Sequence, residues 1–137
     1  MLGRKEFRPE EIDRAVQVID RQLSAYDALV SRTSDTKRRE FEAAFFNNMV
    51  LVLDRFFVHR LRVVTGKDTN PLNEVELITA SLLGSGGTFT LSNPIDYQPE
   101  KSVLQLRQGD SISLARDDFG NLYQAFISEI RAKFGNA

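Results

Sequence analysis

Residues 37–66 read KRREFEAAFFNNMVLVLDRFFVHRLRVVTG, and they hold the densest apolar run of the chain, its only histidine and a cluster of arginines. Ser34 and Asp35, just upstream, suit a helix N-cap, and Gly66 suits the left-handed position past a helix C-terminus. The spacing therefore predicts one long helix from about Lys37 to Gly66. At about 100° per residue, Phe41, Phe45, Met49, Val52, Leu53, Phe56, Phe57, Val63 and Val64 share an arc of about 160°. Phe46, Val50 and Leu61 widen it to about 200°. A face that broad needs more than one neighbour, so this is read as the central helix of a small bundle.

The flanking sequence supplies the neighbours. Pro9, Glu10 and Glu11 open a first helix, in which Ile12, Val16, Ile19, Leu23, Tyr26 and Val30 step by four and three residues to form a narrow seam. Ser31 to Asp35 is a short polar turn that predicts an antiparallel hairpin. Residues 1–8 are expected as a loose leader. Downstream, Asn70-Pro71 starts a third, shorter helix that runs to about Leu83 and ends at Gly84-Ser85-Gly86-Gly87. Thr88 to Leu91 alternates polar and apolar residues, and Val103 to Leu106 and Ile112 to Leu114 are two further short apolar pieces. Gln108-Gly109-Asp110 reads as a turn between them, so a small β-hairpin-like element is expected here, packed on the helices.

The last helix is predicted from about Arg116 to Phe134, with Phe119, Leu122, Tyr123, Phe126, Ile127, Ile130 and Phe134 on one face of about 140°. Ala115 at its cap position has no side-chain acceptor, which predicts an end about 1 kcal/mol weaker than Ser or Asp would give. The fold class expected is mainly α. It is an up-down helical bundle of three long helices and one shorter, with the β-hairpin-like element between the third and fourth, in a single domain over residues 1–137.

Composition narrows the function. The chain has ten Phe, three Tyr and no Trp, an aromatic set dominated by Phe, whose ring has no polar tip and favours packing over ligand chemistry. Net charge is −1 with the signs interspersed, so no field draws the protein to nucleic acid or to an anionic membrane, and neither is expected as a partner. The absence of cysteine excludes disulfides, thiol catalysis and thiolate metal sites. No uncharged run approaches the roughly 20 residues of a membrane span. A cytoplasmic location is expected.

Few residues offer chemistry. His59 falls at the edge of the apolar arc among Arg55 and Arg62, where neighbouring cations disfavour its protonation. Arg62, Lys67, Asn70 and Asn73 gather at the start of the third helix, an anion-friendly corner because helix N-termini expose amides, and Asp68 joins His59, Arg62 and Lys67 in a candidate pocket beside it. These six residues are the candidate ligand-binding set, and no catalytic residue can be named. No His-Glu-x-x-His pattern, phosphate loop or nucleophile elbow occurs, so no metal and no cofactor is expected. Glu40 and Glu42, and Asp117 and Asp118, read as solvated helix starts. Arg55 and His59 on one helix resemble the active-site pairing of HEPN ribonucleases, but with a shorter interval than that family has, and no nuclease activity is carried over.

Phe56-Phe57-Val58-His59-Arg60-Leu61-Arg62, Gly66-Lys67-Asp68, Asn70 to Val75, Lys101 to Leu104 and Gly109-Asp110 together resemble a family of small uncharacterised bacterial helical proteins with no assigned activity. The resemblance covers about Phe41 to Phe134 and implies a bacterial, cytoplasmic protein. Two functions are consistent with the residues. The first is a non-enzymatic interaction or scaffold protein, a homo-oligomer with room for another protein partner, that associates through apolar surface left over on the central and last helices, Phe57 and Phe126 included. The second is a small-molecule, anion-binding protein or enzyme with a pocket near His59.

Overall fold

The computed structural model describes residues 6–31, 33–58, 65–91 and 95–135. Over these the chain is mainly helical, with α1 (Pro9–Val30), α2 (Asp35–Leu53), α3 (Pro71–Gly84) and α4 (Arg116–Lys133). A π-helical turn, Asp54–Val58, continues α2, and a 3-10 turn, Pro99–Lys101, interrupts the connection to α4. Pro9 opens α1 at its first position, and the Asn70 side chain accepts from the Asn73 N–H at 2.9 Å to cap α3 ahead of Pro71, both as these residue types predict. The long central helix is helical from 35 to 58. Residues 59–64, with His59 and Arg62 among them, lie outside the described residues.

Side-chain contacts fix how the helices run. Tyr26, near the end of α1, stacks on Phe41 and Phe45 near the start of α2 at 5.9 and 6.0 Å. Phe7, just before α1, meets Phe57 beyond the end of α2 edge-on at 5.2 Å. The two helices are therefore antiparallel. Helix α4 also runs against α1: Arg116 reaches Asp27 at 3.0 Å, Tyr123 reaches Asp20 at 3.0 Å and Arg131 reaches Asp13 at 3.2 Å. Asp13, Asp20 and Asp27 recur every seventh residue, which keeps them on one edge of α1. Helix α3 packs on α2, the π turn and α4.

The core sits where these helices meet. Phe46, Met49, Val50, Leu53 and Phe57 are buried from the α2 side, Ile12 and Ile19 from α1, Val75 and Ile78 from α3, and Phe119, Leu122, Phe126 and Ile130 from α4. Each such side chain contributes about 1.5–3 kcal/mol by leaving water. The buried face of α2 is turned from the expected arc, because Phe41 is 44% exposed whereas Glu42 is buried.

Two expectations are corrected. The leader expected over residues 1–8 is not loose at its end: Phe7 is 1% exposed, and its N–H donates to the Phe134 carbonyl at 2.7 Å. An aromatic ring with no polar tip is worth more against Phe57 than in water. The β-hairpin-like element is replaced by extended chain. Among the described residues there is no strand, and a single antiparallel bridge joins Thr88 to Ser111. Three backbone bonds surround that bridge, from Phe89 N–H to the Asp110 carbonyl, from Gly109 N–H to that of Phe89 and from Ile112 N–H to that of Gly87, but the pairing goes no further because the next amides are taken elsewhere. Thr90 N–H donates to Ser81 Oγ on α3 at 2.9 Å and Leu91 N–H to Gln108 Oε1 at 3.2 Å. The Asn47 amide on α2 donates to the Ile112 carbonyl and accepts from the Leu114 N–H, at 2.9 and 3.1 Å. The side chains of Ser81, Gln108 and Asn47 thus take the backbone groups that lie beyond that bridge.

Candidate functional site

Four of the expected ligand-binding residues are described, and they lie at one corner. Asn70 Nδ2 donates to the Thr65 carbonyl and to Asp68 Oδ1, both at 3.0 Å. Asn73 Nδ2 donates to the carbonyls of Asp68 at 2.8 Å and Gly66 at 3.2 Å. Gly66, at φ +76°, is where the chain turns, and a Cβ there would press on Asp68 Oδ1 at 3.1 Å, which is the use of glycine at this position. Asn70 and Asn73 are buried, while Lys67 and Asp68 are exposed. Thr69 extends the corner by accepting from the Gln98 N–H at 2.7 Å and donating to the Asp96 carbonyl at 3.1 Å. The side-chain donors of both asparagines are spent inside the protein. Asn73 Oδ1, buried with no partner among the described residues, is an acceptor, the wrong polarity for an anion.

Next to this corner, sequence reasoning missed a buried acid. Glu74 is 1% exposed, and its two carboxylate oxygens accept from the Val103 and Leu104 N–H groups, each at 2.9 Å. Burial pushes its pKa above the usual carboxylate range, and the two amide bonds pull it back only in part. The loop it grips is held again by Ser102, whose Oγ donates to the Pro99 carbonyl at 2.7 Å and accepts from the Gln105 N–H at 2.9 Å. Tyr97 donates to the Leu106 carbonyl at 2.6 Å, and burial raises its pKa.

The opposite end of the molecule holds a second missed acid. Glu42, expected as a solvated helix start, is 8% exposed. Its Oε1 accepts from the Arg116 N–H at 2.9 Å, and its Oε2 accepts from the Tyr26 hydroxyl at 2.5 Å, with Arg38 Nε at 3.4 Å. Burial, followed by the bond to Glu42, raises the Tyr26 pKa strongly. Ala115 donates its N–H to Asp118 at 2.9 Å. The start of α4 is thus capped by a carboxylate from α2, which corrects the weak end expected from Ala115 alone. A charged cavity of about 320 Å³ opens here, walled by Tyr26, Asp27, Arg38, Glu42, Arg116 and Asp117. Its guanidinium groups are engaged: Arg116 pairs with Asp27, and Arg38 with Asp35 and Glu42.

A different surface lies on the outer side of the α1–α2 hairpin. A trough of about 240 Å³ is lined by Gln22, Ala25, Tyr26, Leu29, Phe41 and Phe45. Leu29 is 68% exposed, Phe41 44% and Val18 37%. Val18, Gln22, Ala25 and Leu29 step by four, three and four residues, a second stripe on α1 beside its core seam. Phe45, Val52 and Phe56 are half-buried and prolong the α2 wall. By contrast Phe57 and Phe126, the residues expected at an interface, are 1% and 0% exposed and belong to the core.

Among the described residues no helix is long and apolar enough to cross a membrane, and no three His, Asp or Glu residues gather as a metal site. No protein-family model, curated protein or solved structure matches this chain.

Proposed function

We propose that the chain is a non-enzymatic interaction protein whose working surface is the apolar groove between α1 and α2. The observation that carries this reading is the trough itself. Leu29 and Phe41 stand exposed beside an apolar hollow, and exposed apolar surface that is contiguous and walled marks a place for a partner. The four helices are taken as an up-and-down bundle, with this groove between the first two. Self-association through Phe57 and Phe126 loses its footing, because both rings are spent on the protomer's own core.

The anion-binding alternative keeps Lys67 as an exposed cation at the corner, but the asparagines that would help hold the anion are already bonded to backbone carbonyls. The groove reading is therefore preferred.

A photo-crosslinking residue at position 25, inside the groove, should yield polypeptide adducts in the protein's native cell that disappear when Leu29→Asp is added. Thermal melting against a panel of nucleotides, organic anions, metals and metabolites should leave the transition in place. A ligand at a hundred times its dissociation constant adds about 2.7 kcal/mol, a shift of several degrees for a domain of this size. Such a shift with no Leu29-dependent adduct would replace the interaction reading with the small-molecule one.

A further inference from the structure

We propose that the groove takes a single amphipathic helix of another protein, acidic along both flanks of its apolar face. This rests on the groove reading above and names the occupant.

Shape supplies the first argument. The walls are two antiparallel helices: Gln22, Ala25, Tyr26 and Leu29 of α1 and Phe41 and Phe45 of α2 line the trough, and Val18 on α1 and Val52 and Phe56 on α2 continue the two stripes at helical spacing. Ala25, the small residue of the α1 stripe, leaves room for an incoming backbone to approach. Gln22 Oε1 is buried without a partner among the described residues and offers an acceptor at the groove wall.

Charge supplies the second argument and chooses between partners. At about 100° per residue, Arg14 and Arg21 fall on the outward side of the α1 stripe, and Lys37 and Arg55 on the outward side of the α2 stripe. All four are exposed, and among the described residues none of them is in an ion pair. The acids of α1 are turned elsewhere: Asp13, Asp20 and Asp27 face α4, where Arg131, Tyr123 and Arg116 hold them. Two exposed acids share these outward sides: Glu10, two turns before the α1 stripe begins, and Glu40, about 60° further round the back of α2 than Lys37 and Arg55, so the cations stand nearer the groove than either acid. The groove therefore has an apolar floor and basic rims. A second copy would bring those cations against themselves across a two-fold axis, which opposes association. An acid-flanked helix meets them as counter-charges. A flat anionic bilayer also meets the charges but leaves the floor of a concave channel unfilled.

The test uses the purified full chain and two synthetic helical peptides about five turns long. Both have leucine at the a and d positions of a heptad. One carries glutamate at e and g, and the other carries lysine there. By fluorescence anisotropy the glutamate peptide should bind, about tenfold or more tighter than its lysine twin, with an affinity that falls as salt is raised. Leu29→Asp should remove the binding. Arg21→Glu combined with Lys37→Glu, surface changes that leave folding intact, should reverse the preference to the lysine peptide. Equal affinity for the two peptides overturns the proposal. So does a stable dimer of the chain without peptide binding, or capture by vesicles of anionic phospholipid without peptide binding. If Leu29-dependent adducts from position 25 persist in any of those cases, the interaction reading stands and only the identity of the occupant has failed.

Discussion

Glu74 shows how much a single side chain can hold. Its carboxylate lies among apolar groups, grips two successive backbone amides, and has its pKa raised by burial. The folded protein therefore keeps a proton on Glu74 at pH values where the unfolded chain has released it. Its contribution to stability is fully present below the ordinary glutamate range and is lost as pH rises through the elevated pKa. Glu74→Gln should abolish that decline. It should also be less stable by about 1–3 kcal/mol at low pH, because its amide nitrogen would face a backbone N–H that now has an acceptor. Urea unfolding of both proteins from about pH 4 to pH 8 gives the difference curve, and parallel curves would remove Glu74 as the cause. Nothing in the sequence announced this role. Glu74 sits in the first turn of α3, where an acid is ordinarily explained by the helix dipole, and the loop it binds begins 29 residues later.

At the scale of elements, boundaries marked by local chemistry were legible and those set by distant partners were not. Pro9 and Asn70-Pro71 act within a turn of themselves, and the structure uses both; Gly66 has the left-handed φ expected of it, while the helix end it was expected to close lies outside the described residues. Thr88 to Leu91 has the alternation of a strand, yet of its amides only that of Phe89 pairs across, to the Asp110 carbonyl, and those of Thr90 and Leu91 go to the side chains of Ser81 and Gln108, partners that periodicity does not reveal. The short N-terminal segment is another such case. Its one apolar anchor, Phe7, bridges the end of α4 and the ring of Phe57. Phe7→Ala should cost about 3–5 kcal/mol, as for other buried aromatic truncations, whereas Arg8→Ala, at an exposed position, should stay within about 0.5 kcal/mol apart from its backbone role. Equal losses in chemical denaturation would mean that Phe7 packs no more firmly than its neighbour.

For the whole molecule the sequence supported a mainly helical fold and an excess of apolar surface on the central helix, but it placed that excess wrongly. Phe41 and Phe45 were counted with the core, while the exposed stripe on α1 was hidden because two of its four members are Ala25 and Gln22. Of the anion-binding set, His59 and Arg62 lie outside the described residues, Asn70 turns inward to cap α3, and Asn73 turns inward to the Gly66 and Asp68 carbonyls. Phe126→Asp should put an unpaired charge in the centre of the core, a loss of about 3–5 kcal/mol or more against a total of about 5–15 for a domain. Its far-UV melt should lose cooperativity. Leu29→Asp, on the surface, should melt close to the wild type, and a Phe126→Asp protein that melted like Leu29→Asp would mean the core has been misassigned.

The carboxylate of Glu42 on the Arg116 amide joins residues 74 positions apart, and this bears on the order in which the chain assembles. A helix that carries its own cap can begin to form as soon as it is made, but α4 lacks a side-chain cap at Ala115 and draws one from α2. Its first turn gains that bond only after the α1–α2 hairpin has brought Glu42 into place beside Tyr26. The closing of a loop that long is slow relative to local helix formation. The last helix is therefore expected to lock late, so that Glu42→Gln should speed unfolding more than it slows refolding in stopped-flow measurements.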